Sequence, residues 1–153
     1  MIMTEGLRTV AVAFIGLAAG LSWYAFRTST IPTSSPDRLV AELRLAQFAA
    51  LLLAMTAGAY VGVAVENETM IGVGLDIALA IGFLVVAATT LVRDPRQSLV
   101  IIALAFAAHA VVDVAHQPGG LLPHDIAPRW YLMSCAIYDL YIAALCYLPV
   151  LKR

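Results

Sequence analysis

Five apolar runs, each about as long as the lipid hydrocarbon layer is thick, restrict this chain to one kind of fold. They cover residues 9–26, 42–65, 70–92, 99–116 and 130–151, and a helix needs about 20 such residues to cross ~30 Å of hydrocarbon. In lipid, each backbone N–H and C=O of a single crossing segment must be paired within that segment, which only a helix achieves. Composition agrees, with 62% of the 153 residues hydrophobic and 12% charged, against roughly 25% charged in a soluble domain. The expectation is an all-α polytopic membrane protein, a bundle of five transmembrane helices forming a single domain with the bilayer as its surroundings. The first run suits a span better than the core of a cleaved leader.

The connections are short. Thr28 to Arg38 is rich in Ser, Thr and Pro and reads as an extended loop, with Asp37 as cap of the second helix. Glu66 to Thr69 is so brief that spans two and three must pack antiparallel. The stretch from Gln117 to Arg129 holds three prolines and a Gly pair and is too broken for a helix. Its Leu121 and Leu122 are expected to lie against the bilayer or fold back over the bundle. A net charge of −1 offers no argument for nucleic acid. Cys135 and Cys146, about 16 Å apart on one helix, cannot bridge each other.

Basic residues give the chain a direction. Arg27, Arg38, Arg44, Arg93, Arg96, Lys152 and Arg153 gather on one side of a five-span topology, and only Arg8 and Arg129 on the other. The positive-inside rule then puts the N-terminus outside and the C-terminus in the cytoplasm.

Against this apolar background the run HAVVDVAH stands out, because His109, Asp113 and His116 share one helix face. Ionisable groups inside a span are costly and mark function unless packing accounts for them. Glu66 ends a Gly58, Gly62, Glu66 stripe, itself a packing surface and a route to a homo-oligomer. Asp139 lies one turn beyond Cys135, and Asp76 sits two turns into span three. All of these fall in the outer half of the bundle on this topology. His124 and Asp125 read as ordinary loop residues.

Two imidazoles and several carboxylates form a ligand set for zinc, or for non-haem iron or manganese. The expected site takes His109, Asp113, His116, Glu66 and Asp139 as metal ligands, with Asp113, Glu66 and Asp139 as catalytic carboxylates. Water held there could attack an ester, or an iron centre could activate oxygen. The leading expectation is a metal-dependent hydrolase or oxidoreductase acting on a lipid or isoprenoid. One alternative is a metal-free acid–base isomerase or cyclase of a lipophilic small molecule. Another is a proton or metal-ion transport or binding protein. A serine nucleophile is not favoured, because Ser134 lacks the GxSxG setting.

AYVGVAVE ending at Glu66, HAVVDVAH followed by Pro118, and SCAIYD ending at Asp139 together resemble the 6010 family, small bacterial membrane proteins grouped as a domain of unknown function. The resemblance runs from about Glu66 onward. It implies that Glu66, His109, Asp113, His116, Cys135 and Asp139 belong to one site, in a bacterial inner membrane, and it implies no activity. Gln117 stands where the family tends to carry a second histidine. A looser likeness, of chemistry and not of fold, is to intramembrane zinc hydrolases of the ceramidase type.

Overall fold

The computed structural model describes residues 5–66, 73–116, 121–122 and 129–151. Five helices follow in order: α1 (Glu5–Thr30), α2 (Pro36–Glu66), α3 (Val73–Thr90), α4 (Pro95–Ala115) and α5 (Arg129–Leu151). All five are long and apolar enough to cross a membrane. The protein is an all-helical membrane protein.

Three helices, α1, α2 and α4, outrun their apolar runs at the end where the basic residues gather, hereafter the basic end. α1 continues past Arg27 to Thr30 and α2 already begins at Pro36, so the expected loop of Thr28 to Arg38 shrinks to residues 31–35. Its start is set by Ser35, whose Oγ accepts the Asp37 N–H at 3.3 Å. Pro36 follows at the first helical position, where its missing N–H costs nothing. Asp37, expected as the cap, lies instead in the first turn. α4 starts the same way. Asp94 accepts the N–H groups of Arg96 at 3.0 Å and Gln97 at 3.2 Å, and Pro95 stands between.

α4 is the most buried helix and packs against α5, α2 and α3, while α1 lies on α2 and α5. Leu45, Ala49, Leu53, Leu99, Ile102, Phe106 and Ile142 form a core from which solvent is wholly excluded. Ala46, Ala49, Ala50, Ala87, Ala103 and Ala105 of the same core let backbones come close, which is how helices associate in lipid.

Below that core, at the basic end, one arginine ties three helices. Arg38 is 3% exposed. Its Nε donates to Glu42 Oε1 at 2.6 Å, Nη1 to the carbonyls of Thr28 and Ile31, and Nη2 to the Pro149 carbonyl at 2.7 Å. Thr28 and Pro149 belong to the last turns of α1 and α5, where carbonyls lack helical partners and the helix dipole favours a cation. Arg96 of α4 reaches the same Glu42 carboxylate at 3.2 Å, and Ser98 Oγ donates to the Thr90 carbonyl of α3 at 2.6 Å. All five helices therefore meet in one polar layer. Arg38, one of the basic residues that orient the chain, is thus also a buried clamp.

The Gly58 and Gly62 stripe behaves differently from expectation within the chain. Both glycines are exposed, and a Cβ built on either meets nothing within 4 Å. They face away from the described bundle and bring none of its helices close.

Candidate functional site

Buried polar groups collect at the opposite end, around α4. His109, Asp113 and His116 share the stripe that α4 turns inward and are 3%, 2% and 1% exposed. Sharing a face is not sharing a depth. Seven residues carry His116 about 10 Å beyond His109 along the axis, and the two imidazoles find different partners.

His109 Nδ1 lies 2.6 Å from Oδ2 of Asp139 on α5 and 3.7 Å from Oδ2 of Asp113, one turn along α4. The first is a short hydrogen bond with ionic character. The second is too long to be one, so Asp113 Oδ2 is buried without a hydrogen-bond partner. Asp76 Oδ2 is the other such side-chain atom among the described residues. Phe83 and Tyr60 meet the His109 ring edge-on, with centroids 4.9 Å and 5.7 Å away, and fix its orientation. Cys135 lies half-buried one turn before Asp139 on α5.

One ligand atom from each of His109, Asp113 and Asp139 falls within 4.8 Å of the others. Bonds of 2.0–2.2 Å around a tetrahedral ion put ligand atoms about 3.4 Å apart. The 3.7 Å from His109 to Asp113 suits that spacing. The 2.6 Å from His109 to Asp139 is the spacing of a shared proton. An ion and that proton exclude each other, so binding must release the proton and part the pair by about 0.8 Å. An imidazole and two carboxylates are donor types that could hold a zinc, iron or manganese ion.

His116 stands outside this group. Its Nδ1 lies 2.9 Å from both the Val112 carbonyl oxygen and Tyr60 Oη, and Nε2 lies 2.8 Å from Asp76 Oδ1 on α3. The expectation of a single ion reached by residues four and seven apart considered angle and not rise. Two turns are too far for bonds of ~2 Å. Glu66 is the last residue of α2, and its side chain, like His124 and Asp125, lies outside the described residues. Leu122 folds back on α4, its N–H donating to the Ala115 carbonyl at 3.1 Å. Ser134 Oγ donates to its own helix at the Trp130 carbonyl.

Sequence reasoning missed Tyr60 and Phe83, because aromatic residues at helical spacing ordinarily read as core. The signal for Tyr60 was its hydroxyl, which a buried tyrosine must place against a partner.

The sequence pattern of a family of unknown function, DUF6010, matches residues 35–150. The chain belongs to that family. The DUF6010 match takes in α2 to α5 and so every residue of the site, and it leaves out α1. It also extends the resemblance read from Glu66 onward back through the basic-end clamp at Arg38 and Glu42. No curated protein and no solved structure matches the chain, so the likeness to ceramidase-type hydrolases gains no support.

Proposed function

We propose that the protein is an intramembrane metal-dependent enzyme, a hydrolase or an oxygen-activating oxidoreductase, that acts on a lipid or isoprenoid. The observation that carries this reading is the buried Asp113 Oδ2, unpartnered beside His109 and Asp139. A buried carboxylate oxygen without a hydrogen-bond partner costs about 1–3 kcal/mol, and a cation is the group that would offset it. A divalent ion held by His109, Asp113 and Asp139 would supply Lewis acidity to a carbonyl or phosphoryl oxygen, or to water. Phe83 and Tyr60 orient the imidazole, and the fully buried core beneath keeps water from entering from the basic end.

The positive-inside rule orients the site outward in a bacterial inner membrane, with Arg27, Arg38, Arg44, Arg93 and Arg96 on the cytoplasmic side. One observation favours a second reading. The 2.6 Å His109–Asp139 hydrogen bond suits a metal-free acid–base pair that exchanges a proton with an isoprenoid.

Metal content separates the two. Protein purified in detergent without added chelator and then exposed to zinc, iron(II) or manganese(II) should hold about one equivalent, and His109→Gln should hold none. Less than a tenth of an equivalent, unchanged after metal addition, would leave the acid–base reading in place of the metal one.

A further inference from the structure

At the basic end the charges around Glu42 do not balance. Two arginines share its buried carboxylate, Arg38 Nε at 2.6 Å and Arg96 Nε at 3.2 Å. Arg38 is enclosed, and its other nitrogens go to the carbonyls of Thr28, Ile31 and Pro149. One carboxylate neutralises one cation, so a positive charge is left over at Arg96, whose side chain is 43% exposed. The wider surroundings do not cancel it. Among the described residues of this end, Arg27, Arg38, Arg44, Arg93 and Arg96 stand against Asp37, Glu42 and Asp94.

Arg96 also stands below the mouth of a groove. Arg96, Val100 and Ala103 recur at spacings of four and seven and so share one face of α4. Beside that face, α4 and α5 leave a groove of about 430 Å³ walled by Val100, Ala103, Leu104, Ala143, Ala144 and Tyr147. Small-molecule sites run from roughly 300 to 1,000 Å³, so the groove is large enough to hold part of a lipid. Leu104 and Tyr147 are 66% and 44% exposed, and the groove opens sideways to the bilayer. Burial by itself gains nothing where the alternative is lipid, so contact decides what fills the recess. The alanines leave its lining atoms short of neighbours until a hydrocarbon chain lies among them. Val100 is one turn, about 6 Å, above Arg96, a span that a lipid bridges with its phosphate at the arginine and the start of a chain between the helices. Arg96 holds Glu42 through Nε, and the Nη edge of a guanidinium has the geometry to pair with phosphate.

We infer that the α4–α5 groove binds one anionic phospholipid from the leaflet at the basic end, its phosphate on Arg96 and one acyl chain against Ala103, Ala143 and Ala144. The charge left over at Arg96 favours this occupant over a second copy of the chain, which would bring another positive end beside the first. The site is separate from His109, Asp113 and Asp139 and does not rest on the proposed function.

Native mass spectrometry of the full chain in nonionic detergent, titrated with phosphatidylglycerol and with phosphatidylcholine of equal chain length, tests this. One phosphatidylglycerol per chain should bind ahead of any further lipid and more tightly than phosphatidylcholine. Arg96→Gln should weaken that step about fivefold, the effect of one basic residue at an anionic membrane surface, and Arg96→Lys should restore part of it. Ala144→Phe, and the smaller Ala144→Leu, fill the groove from an exposed position and should abolish the step. Val111→Phe, on a lipid-facing part of α4 outside the groove, should leave it unchanged. Native helical circular dichroism is expected of every variant. If glycerol phosphate, which has no chains, competes as well as the lipid does, the groove takes no part and the inference fails. It fails equally if lipids add without a distinct first step, or if filling the groove leaves that step intact. A dimer that Ala144→Leu converts to a monomer would also overturn it, because a second copy then occupies the groove.

Discussion

Asp113 and Asp139 are the same residue type at nearly the same burial, yet their surroundings give them unequal contributions to stability. Asp139 Oδ2 takes a 2.6 Å hydrogen bond from His109, whereas Asp113 Oδ2 takes none. Removing the charge from Asp139 should cost about 1–3 kcal/mol, because it weakens a bond to an ionised partner and disturbs a buried imidazole. Asp113→Asn should be close to neutral, because at constant volume it breaks no hydrogen bond at Oδ2 and loses only the 3.7 Å pairing with His109. Zinc affinity should move the other way for Asp113, falling at least about tenfold in a change that leaves stability intact. Unfolding in SDS and zinc titration of the two variants check both statements. Equal losses of stability would mean that Asp113 has a partner after all.

The helices themselves were legible in the sequence because lipid demands a length, and runs of about 20 apolar residues satisfy it. Their ends were less so. Polar residues such as Arg27, Thr28 and Asp37 argue against a span but not against a helix, and α1 and α2 continue through them. His109, Asp113 and Asp139 were legible because a charge in lipid is conspicuous. The partner of His116 was not, since periodicity resolves angle around α4 and leaves depth along it open. Tyr60 and Arg38 were hidden for opposite reasons: one resembles core and the other resembles surface. The start of α4 carries a measurable consequence. Asp94→Ala removes the acceptor for the Arg96 and Gln97 N–H groups and should cost about 1 kcal/mol. SDS unfolding followed by helical circular dichroism reads that loss, and no change would mean that solvent caps the helix equally well.

At the scale of the whole molecule, two polar layers are separated by an apolar one. Among the described residues of α4, no polar side chain is buried between Ser98 and His109, a rise of about 16 Å. An ion crossing the protein would have to traverse that core. Sidedness is open to a direct test. In a background with Cys135 and Cys146 replaced by alanine, Asn67→Cys should react with an impermeant maleimide added outside intact cells, and Ser34→Cys only after lysis. The reverse pattern would turn the orientation over.

The clamp at Arg38 also imposes an order of events on biosynthesis. Its acceptor at Pro149 lies 111 residues further along the chain, which at about 5–20 residues per second takes roughly 6–22 s to be made. During that interval Arg38 can hold Glu42 and the end of α1, but one arm of its guanidinium has no protein acceptor from α5. The first two helices therefore wait as an open hairpin, with a cation at the interface, until the fifth arrives to close the ring. Newly inserted chains should accordingly pass through a protease-sensitive stage that ends only when α5 has entered the bilayer.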